Sequence, residues 1–290
     1  MTMAKINYSN EALIGQTNFK RSVAEMVENN SFPRFSIIVG QPGSGKKLMS
    51  QYIAKQLNIR SAFIGTSVDE IRTMITEAYR LAMPLVYIIA DADKMSPAAK
   101  NALLKVTEEP PRQAYFILTL SDLTNTLATI RSRGTVFYMN PYAPTEIGEY
   151  FQTKYHDGTY SGATTQDHIL IQVLCETPGE VDTLVSMGVQ EFYDYVIKVV
   201  DNIASVSGSN SFKIAQRIKF KDTDEDKYDL RLFWKAFMTV CSDRLRDDPL
   251  RYAAGIKCTT KYLQELRITG INKQSTFDMW LLDVRKEWMV

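Results

Sequence analysis

The sequence predicts an α/β fold built on a parallel sheet, followed by a helical C-terminal third. Three observations carry this. Five short apolar runs, FSIIV (35–39), SAFIG (61–65), LVYIIA (85–90), YFILT (115–119) and TVFYM (135–139), are rich in β-branched and aromatic residues. They lack clean period-two alternation, the pattern of strands buried on both faces. Helix-patterned segments lie between them, and strands alternating with helices imply parallel pairing. From about residue 189 the rhythm changes to the amphipathic stretches EFYDYVIKVVDNIA, DLRLFWKAFMTVCSDRL and FDMWLLDVRKEWMV, separated by the polar SVSGSNS and KFKDTDEDK.

Each helix has its own local logic. In 45–57, Met49, Ile53 and Leu57 recur at i, i+4, i+8 with Leu48 and Tyr52 beside them, one apolar face. In 96–109, Ser96 is placed as N-cap and Pro97 as the first helical residue; Ala99, Ala102, Leu103 and Val106 make the stripe, and Pro110-Pro111 ends it. After Asn140-Pro141-Tyr142-Ala143-Pro144 a helix starts at Thr145, a polar loop covers 156–167, and helical pattern continues to about Met187. The predicted divisions are 1–140, 141–188 and 189–290.

Length and composition set limits. A chain of 290 residues, 45% hydrophobic, has ample material for buried cores. Charged residues are 23% and the formal net charge is +1, so nucleic-acid contact would have to come from a local patch or from partner subunits. Cys175, Cys241 and Cys258 are odd in number and widely spaced, neither a zinc pattern nor a disulfide framework, and read as reduced core residues. The apolar runs fall short of the roughly 18 residues that cross a membrane, and MTMAKINYSNEALIG lacks the apolar block of a signal peptide. A soluble, cytoplasmic protein with no membrane partner is expected.

Two segments carry chemistry. Gly40-Gln41-Pro42-Gly43-Ser44-Gly45-Lys46-Lys47 lies between the first strand and a helix, the G-x-x-x-x-G-K phosphate loop in its required context. The glycines let backbone amides turn inward around phosphate oxygens, the helix N-terminus adds favourable field, and Lys46 supplies charge for the β and γ phosphates of ATP. The next residue should be Ser or Thr to ligate Mg²⁺; here it is Lys47, which cannot coordinate a cation. LVYIIADADKM then ends a strand in acids. Asp91 occupies the Walker B position that would hold Mg²⁺. The following Glu, which polarises the attacking water in an active ATPase, is replaced by Ala92. Asp93 lies two positions along, where a capping or lysine-pairing role is at least as natural as catalysis.

The longer string DADKMSPAAKNALLKVTEEPP (91–111), YFILTLSD (115–122) and TIRSRG (129–134) resembles the AAA+ module of bacterial DNA polymerase III clamp-loader subunits. Leu13-Ile14-Gly15-Gln16 resembles that family's N-terminal element, and GTSVDEIR (65–72) its segment before the Walker B strand. The resemblance covers about residues 10–190. It implies an AAA+ P-loop domain over 1–140, a small helical lid over 141–188 and an all-α oligomerisation collar over 189–290.

The resemblance also assigns roles. The family's Ser-Arg-Cys motif stands as Ser132-Arg133-Gly134, which makes Arg133 a finger acting on a neighbouring subunit's ATP. Thr119 or Ser121 would be sensor 1. The lid arginine expected near Thr177-Pro178-Gly179-Glu180-Val181-Asp182 is missing. The Pro-Gly there resembles the delta-prime subunit, and the cysteine-rich zinc module of the hydrolysing gamma subunit is absent. Lys47, Ala92 and the missing arginine all depart in the direction of lost turnover, each contact being worth ~10²–10³ in rate. The expectation is therefore a delta-prime-like subunit with weak or no hydrolysis. Its partners would be sister subunits, a sliding clamp and, through the assembled complex, primer-template DNA. Two other readings stay open: an active gamma-like ATPase of a divergent or phage system that recruits Asp93, and a scaffold that binds no nucleotide.

Overall fold

A computed structural model of the chain describes residues 13–155, 164–203, 213–221, 227–266 and 271–289. Parts of the polar loop at 156–167 and of the KFKDTDEDK stretch, and the whole of SVSGSNS, lie outside the described residues. The described residues divide into two compact units. One reaches to Tyr150 and takes in Thr177–Gly179; the other holds Phe151–Glu176 and Glu180–Val290.

The first unit is a five-stranded, all-parallel sheet in the order β2-β3-β4-β1-β5. Its elements in chain order are α1 (Thr17–Glu28), β1 (Phe35–Val39), α2 (Lys46–Gln56), β2 (Arg60–Ile64), α3 (Val68–Ala78), β3 (Leu85–Ile89), α4 (Pro97–Glu108), β4 (Ala114–Leu120), α5 (Ala128–Arg131) and β5 (Thr135–Tyr138). Strand alternation splits each central strand between two cores. Phe35, Ile37 and Val39 of β1, Tyr87 and Ile89 of β3, and Phe116, Leu118 and Leu120 of β4 pack with Ile71 and Met74 of α3 and with Leu103 and Val106 of α4. Ile38, Val86, Ile88 and Ile117 face the other way, onto Phe19 and Val23 of α1 and Met49 and Ile53 of α2.

Burial on both faces holds for β1, β3 and β4. It does not hold for β2 or β5, whose residues are mostly half-buried or exposed. These two are the edge strands, each with a single neighbour, and Phe63 and Tyr138 remain about half in solvent. Their apolar runs resemble those of the central strands, so the sequence alone did not separate edge from centre.

The helix signals translate directly. Ser96 caps α4, its hydroxyl accepting the Ala99 N–H at 3.2 Å, with Pro97 as first residue. Ser67 and Glu70 of the GTSVDEIR segment form a reciprocal capping box at the start of α3. Gln16, buried at the head of α1 with a left-handed backbone, uses its side-chain amide like a strand partner. Its Nε2 donates to the Asn140 carbonyl and its Oε1 accepts the Asn140 N–H, both at 2.8 Å, fastening the start of α1 to the end of β5.

The second unit is built mainly from α7 (Thr165–Leu174), α8 (Pro178–Met187), α9 (Val189–Asn202), α10 (Leu230–Asp243), α11 (Pro249–Glu265) and α12 (Lys273–Trp288); α6 (Pro144–Tyr155) leads into it, and α8 opens in Pro178 and Gly179 of the first unit. A parallel ladder of two residues each, Ile218–Lys219 with Tyr228–Asp229, precedes α10. The three amphipathic stretches named from sequence are α9, α10 and α12. Helix α11, whose apolar residues are interrupted by Gly255 and a Thr pair, was not singled out by its pattern. Its face is legible only in the fold, where Thr259 accepts the Trp280 indole N–H at 2.9 Å and Tyr262 donates to Asp283 at 2.6 Å. Aromatic residues fill this core: Phe233, Trp234, Phe237, Phe277 and Trp280 are fully buried and in mutual contact.

All three cysteines are free, Cys175 and Cys241 buried and Cys258 half-buried. Burial is the main cause raising their pKa values, Cys241 to about 12 and Cys258 to about 11. Among the described residues no helix is long and apolar enough to cross a membrane, and no group of His, Cys, Asp and Glu is arranged to hold a metal.

Removing the Gln16 clamp tests its role. Gln16→Glu keeps the acceptor and loses the donor, so it should cost about 1–3 kcal/mol, which at ~2–4 °C per kcal/mol lowers Tm by roughly 2–12 °C in a thermal melt. An unchanged Tm would show that the clamp contributes nothing.

Candidate nucleotide site

Parallel pairing puts three strand ends side by side. Because β4 lies between β1 and β3, with Ile38 opposite Thr119 and Ile89 opposite Leu118, the loop after β1, the acids after β3 and the polar end of β4 meet at one edge of the sheet. This is where an open α/β sheet offers a ligand crevice.

The phosphate loop is tightly held. Gly43 and Gly45 have φ of 78° and 85°, the left-handed region that glycine adopts without strain. Lys46 is buried and folds back on the loop, its Nζ donating to the Gly40 carbonyl at 2.7 Å and the Gln41 carbonyl at 2.9 Å. Burial pushes its pKa below the usual lysine range, opposed by Asp91 and Asp93. Ser44 is 3% exposed and its hydroxyl has no hydrogen-bond partner. Two contacts that the sequence did not indicate brace the loop from outside. Tyr142 donates to the Ser44 carbonyl at 2.8 Å, its own pKa raised by burial to about 12. The Gly179 N–H donates to the Gly43 carbonyl at 3.0 Å, and a Cβ on Gly179 would come within 2.6 Å of Gly43 Cα. Partners 98 and 136 positions apart leave no local signature. The Pro-Gly at 178–179 is the one trace in the sequence.

The acidic segment departs from a metal site. Asp91 has φ 53°, and its backbone N–H donates to the Thr119 hydroxyl at 3.0 Å. Its carboxylate Oδ2 lies 3.2 Å from Lys47 Nζ and 3.9 Å from Lys94 Nζ. The lysine at the position where a hydroxyl would hold Mg²⁺ thus occupies the carboxylate that would share the ion. The donor set does not fit Mg²⁺, which demands a near-octahedral shell of oxygens and not a neighbouring ammonium. As a partly exposed ion pair the contact itself contributes only ~0–1 kcal/mol, so its significance is positional.

Ala92 is fully buried in the apolar cluster of α3 and α4, with Met95 and Ala99. It opens a 3₁₀ turn, Ala92–Lys94, which directs this position into the core. Asp93 does not cap α4; its Oδ2 accepts the Ser121 N–H at 2.7 Å, and among the described residues its buried Oδ1 has no hydrogen-bond partner. The structure therefore joins Gly40 to Lys47, Asp91, Asp93, Thr119 and Ser121 in one place. What the loop fits is a polyphosphate: a glycine-rich turn at a helix N-terminus, a lysine and a serine hydroxyl unpartnered among the described residues.

Arg133 is elsewhere. It follows α5 and precedes β5, and Thr135 pairs with Ser36 near the start of β1. The phosphate loop leaves the other end of β1, four strand rises or about 13 Å away. The Arg133 guanidinium donates to Glu108 at 2.7 Å and to the Thr129 carbonyl at 2.8 Å. Gly134, where the resembling family has Cys, backs onto β1: a Cβ there would come within 2.8 Å of Ile37 and 2.9 Å of Phe35.

Residues 63–143 match the family model described as "DNA polymerase III, delta subunit". Over 75 residues, 26% of this chain, it is 39% identical to the DNA polymerase III subunit delta' of Escherichia coli K12, covering 22% of that protein. Over 166 residues, 47% of this chain, it is 26% identical to the subunit gamma of Buchnera aphidicola (Schizaphis graminum), covering 46% of it. Over these residues the chain is similar to subunits of DNA polymerase III. The matched stretches span between about a fifth and a half of these relatives' lengths. The fold agrees: a gamma subunit-related protein of Thermotoga maritima superposes with a TM-score of 0.50 over 93% of this chain and 99% of that one, at 16% identity.

The burial of residue 92 yields a prediction. Ala92→Glu puts a carboxylate in the apolar cluster instead of restoring a catalytic acid, at a cost of several kcal/mol. It should lower Tm by ~10 °C and give no gain in ATP turnover. An unchanged melting temperature with turnover gained would overturn this.

Proposed function

We propose that the chain is a delta-prime-like clamp-loader subunit that helps load a sliding clamp onto DNA, holds nucleotide with little or no hydrolysis, and supplies Arg133 to a neighbouring subunit's ATP. The observation that carries the proposal is the Lys47–Asp91 pair, which places an ammonium where an ATPase needs a metal. Ala92 in the core and the missing lid arginine point the same way. At the corresponding place α8 carries Glu180, paired instead with Lys235 at 2.9 Å and Arg231 at 3.5 Å of α10.

The trans role of Arg133 is supported by its place at the opposite end of β1 from the chain's own loop, beyond the reach of one side chain. The helices from α9 onward are proposed as the collar that assembles with sister subunits, and residues 141–188 as the lid. Clamp and primer-template DNA are then partners of the assembly.

The unpartnered Asp93 Oδ1 favours one second reading, a gamma-like ATPase in which Asp93 replaces the missing Glu. Asp93→Ala separates the two: loss of DNA-stimulated hydrolysis supports the ATPase, whereas negligible hydrolysis before and after the substitution supports the delta-prime-like role.

The decisive experiment reconstitutes the chain with candidate loader subunits and clamp. Arg133→Ala should reduce the complex's ATPase by ~10³-fold or more while leaving nucleotide binding by this chain alone intact. Unchanged activity of the complex would remove the trans role.

A further inference from the structure

Resting on the reading that Gly40 to Lys47 holds a nucleotide, we propose that Lys47 replaces the magnesium ion, so that the loop takes a nucleoside triphosphate as the metal-free polyphosphate. A nucleotide-binding P-loop normally neutralises its ligand with one lysine and one divalent cation. This loop has two consecutive lysines, and the second sits 3.2 Å from the Walker B carboxylate.

The geometry fixes that second charge. The Asp91 backbone is held in the left-handed region and tied to Thr119, which sets where its carboxylate can go. Lys47 is the second residue of α2, so its stem rises from the rigid first turn beside the loop. An ammonium has three donors, and one hydrogen bond to Asp91 leaves two for phosphate oxygens. The cradle itself is ready for an anion: the Ser44 hydroxyl is buried and unpartnered among the described residues, and Lys46 donates to loop carbonyls that a phosphate can displace. A magnesium ion brought in on the triphosphate would instead meet a like charge and find Asp91 already paired. Holding the triphosphate without the metal also accounts for a site that binds and does not turn over, since no divalent ion is there to neutralise developing charge.

Isothermal titration with sodium ATP in EDTA and in excess Mg²⁺ tests this by binding alone. Wild type should bind at least as tightly in EDTA as in Mg²⁺. Lys47→Ser, which restores the hydroxyl, should bind more weakly in EDTA and gain ~10-fold or more from Mg²⁺. Lys47→Arg keeps a fixed positive charge and should behave as wild type, which guards against a folding defect in the serine variant. Lys46→Ala should abolish the heat in both buffers, and heat that survives it would place the ligand elsewhere and overturn the proposal. Wild-type binding that Mg²⁺ tightens ~10-fold overturns the lysine-for-metal inference and leaves the nucleotide-holding reading standing. An absence of heat from wild type in both buffers overturns both, while the Arg133 reconstitution still reports separately on the clamp-loader role.

Discussion

The placement of β4 between β1 and β3 is the constraint on which the candidate site depends. Each of these strands ends in a different chemical element: a phosphate loop, an acidic turn and a polar hydroxyl pair. Parallel hydrogen bonding brings the three ends to one edge, and the register, Ile38 with Thr119 and Ile89 with Leu118, brings Thr119 within reach of the Asp91 N–H. Antiparallel neighbours would have sent one of these elements to the far side of the sheet. The parallel β1–β5 pairing puts Arg133 at the opposite edge, because it precedes β5 while the phosphate loop follows β1.

Within that frame, charge placement differs between neighbouring residues. Lys46 and Lys47 are adjacent in sequence yet do different things. Lys46 is buried and turned onto the loop, where desolvation lowers its pKa; Lys47 stands more exposed against Asp91. The 3₁₀ turn after Asp91 sends Ala92 into the core and leaves Asp93 on the Ser121 N–H. The positions that most often carry metal chemistry in this architecture are occupied by groups serving packing and charge neutralisation.

The second unit reaches stability by other means. A cluster of large aromatic side chains fills its core, and aromatic pairs add ~0.5–1.5 kcal/mol each beyond their burial. Polar groups within it find partners, as in the Trp280–Thr259 and Tyr262–Asp283 hydrogen bonds. Lys235, nearly buried, is matched by Glu180 and Glu176. Removing Glu180 would take the nearest carboxylate from the nearly buried Lys235, a costly loss for a charge out of water.

Strand and helix positions in the first half were legible locally, because apolar periodicity, Ser96 with Pro97, and the glycine-lysine loop are properties of neighbouring residues. So were the departures Lys47, Ala92 and the arginine missing from 177–182. Long-range pairing is not local, and it decided the rest: which strands lie at the edge, where the 3₁₀ turn aims residue 92, and which residues brace the loop. Tyr142 and Gly179 reach the phosphate loop, and Gln16 reaches Asn140, across about a hundred positions or more of chain. The amino-acid order by itself determined that a G-x-x-x-x-G-K loop is followed by a lysine where a hydroxyl residue is expected. Only the folded chain decided that this lysine meets Asp91, because that contact requires strands β1 and β3 to end at the same edge of one sheet.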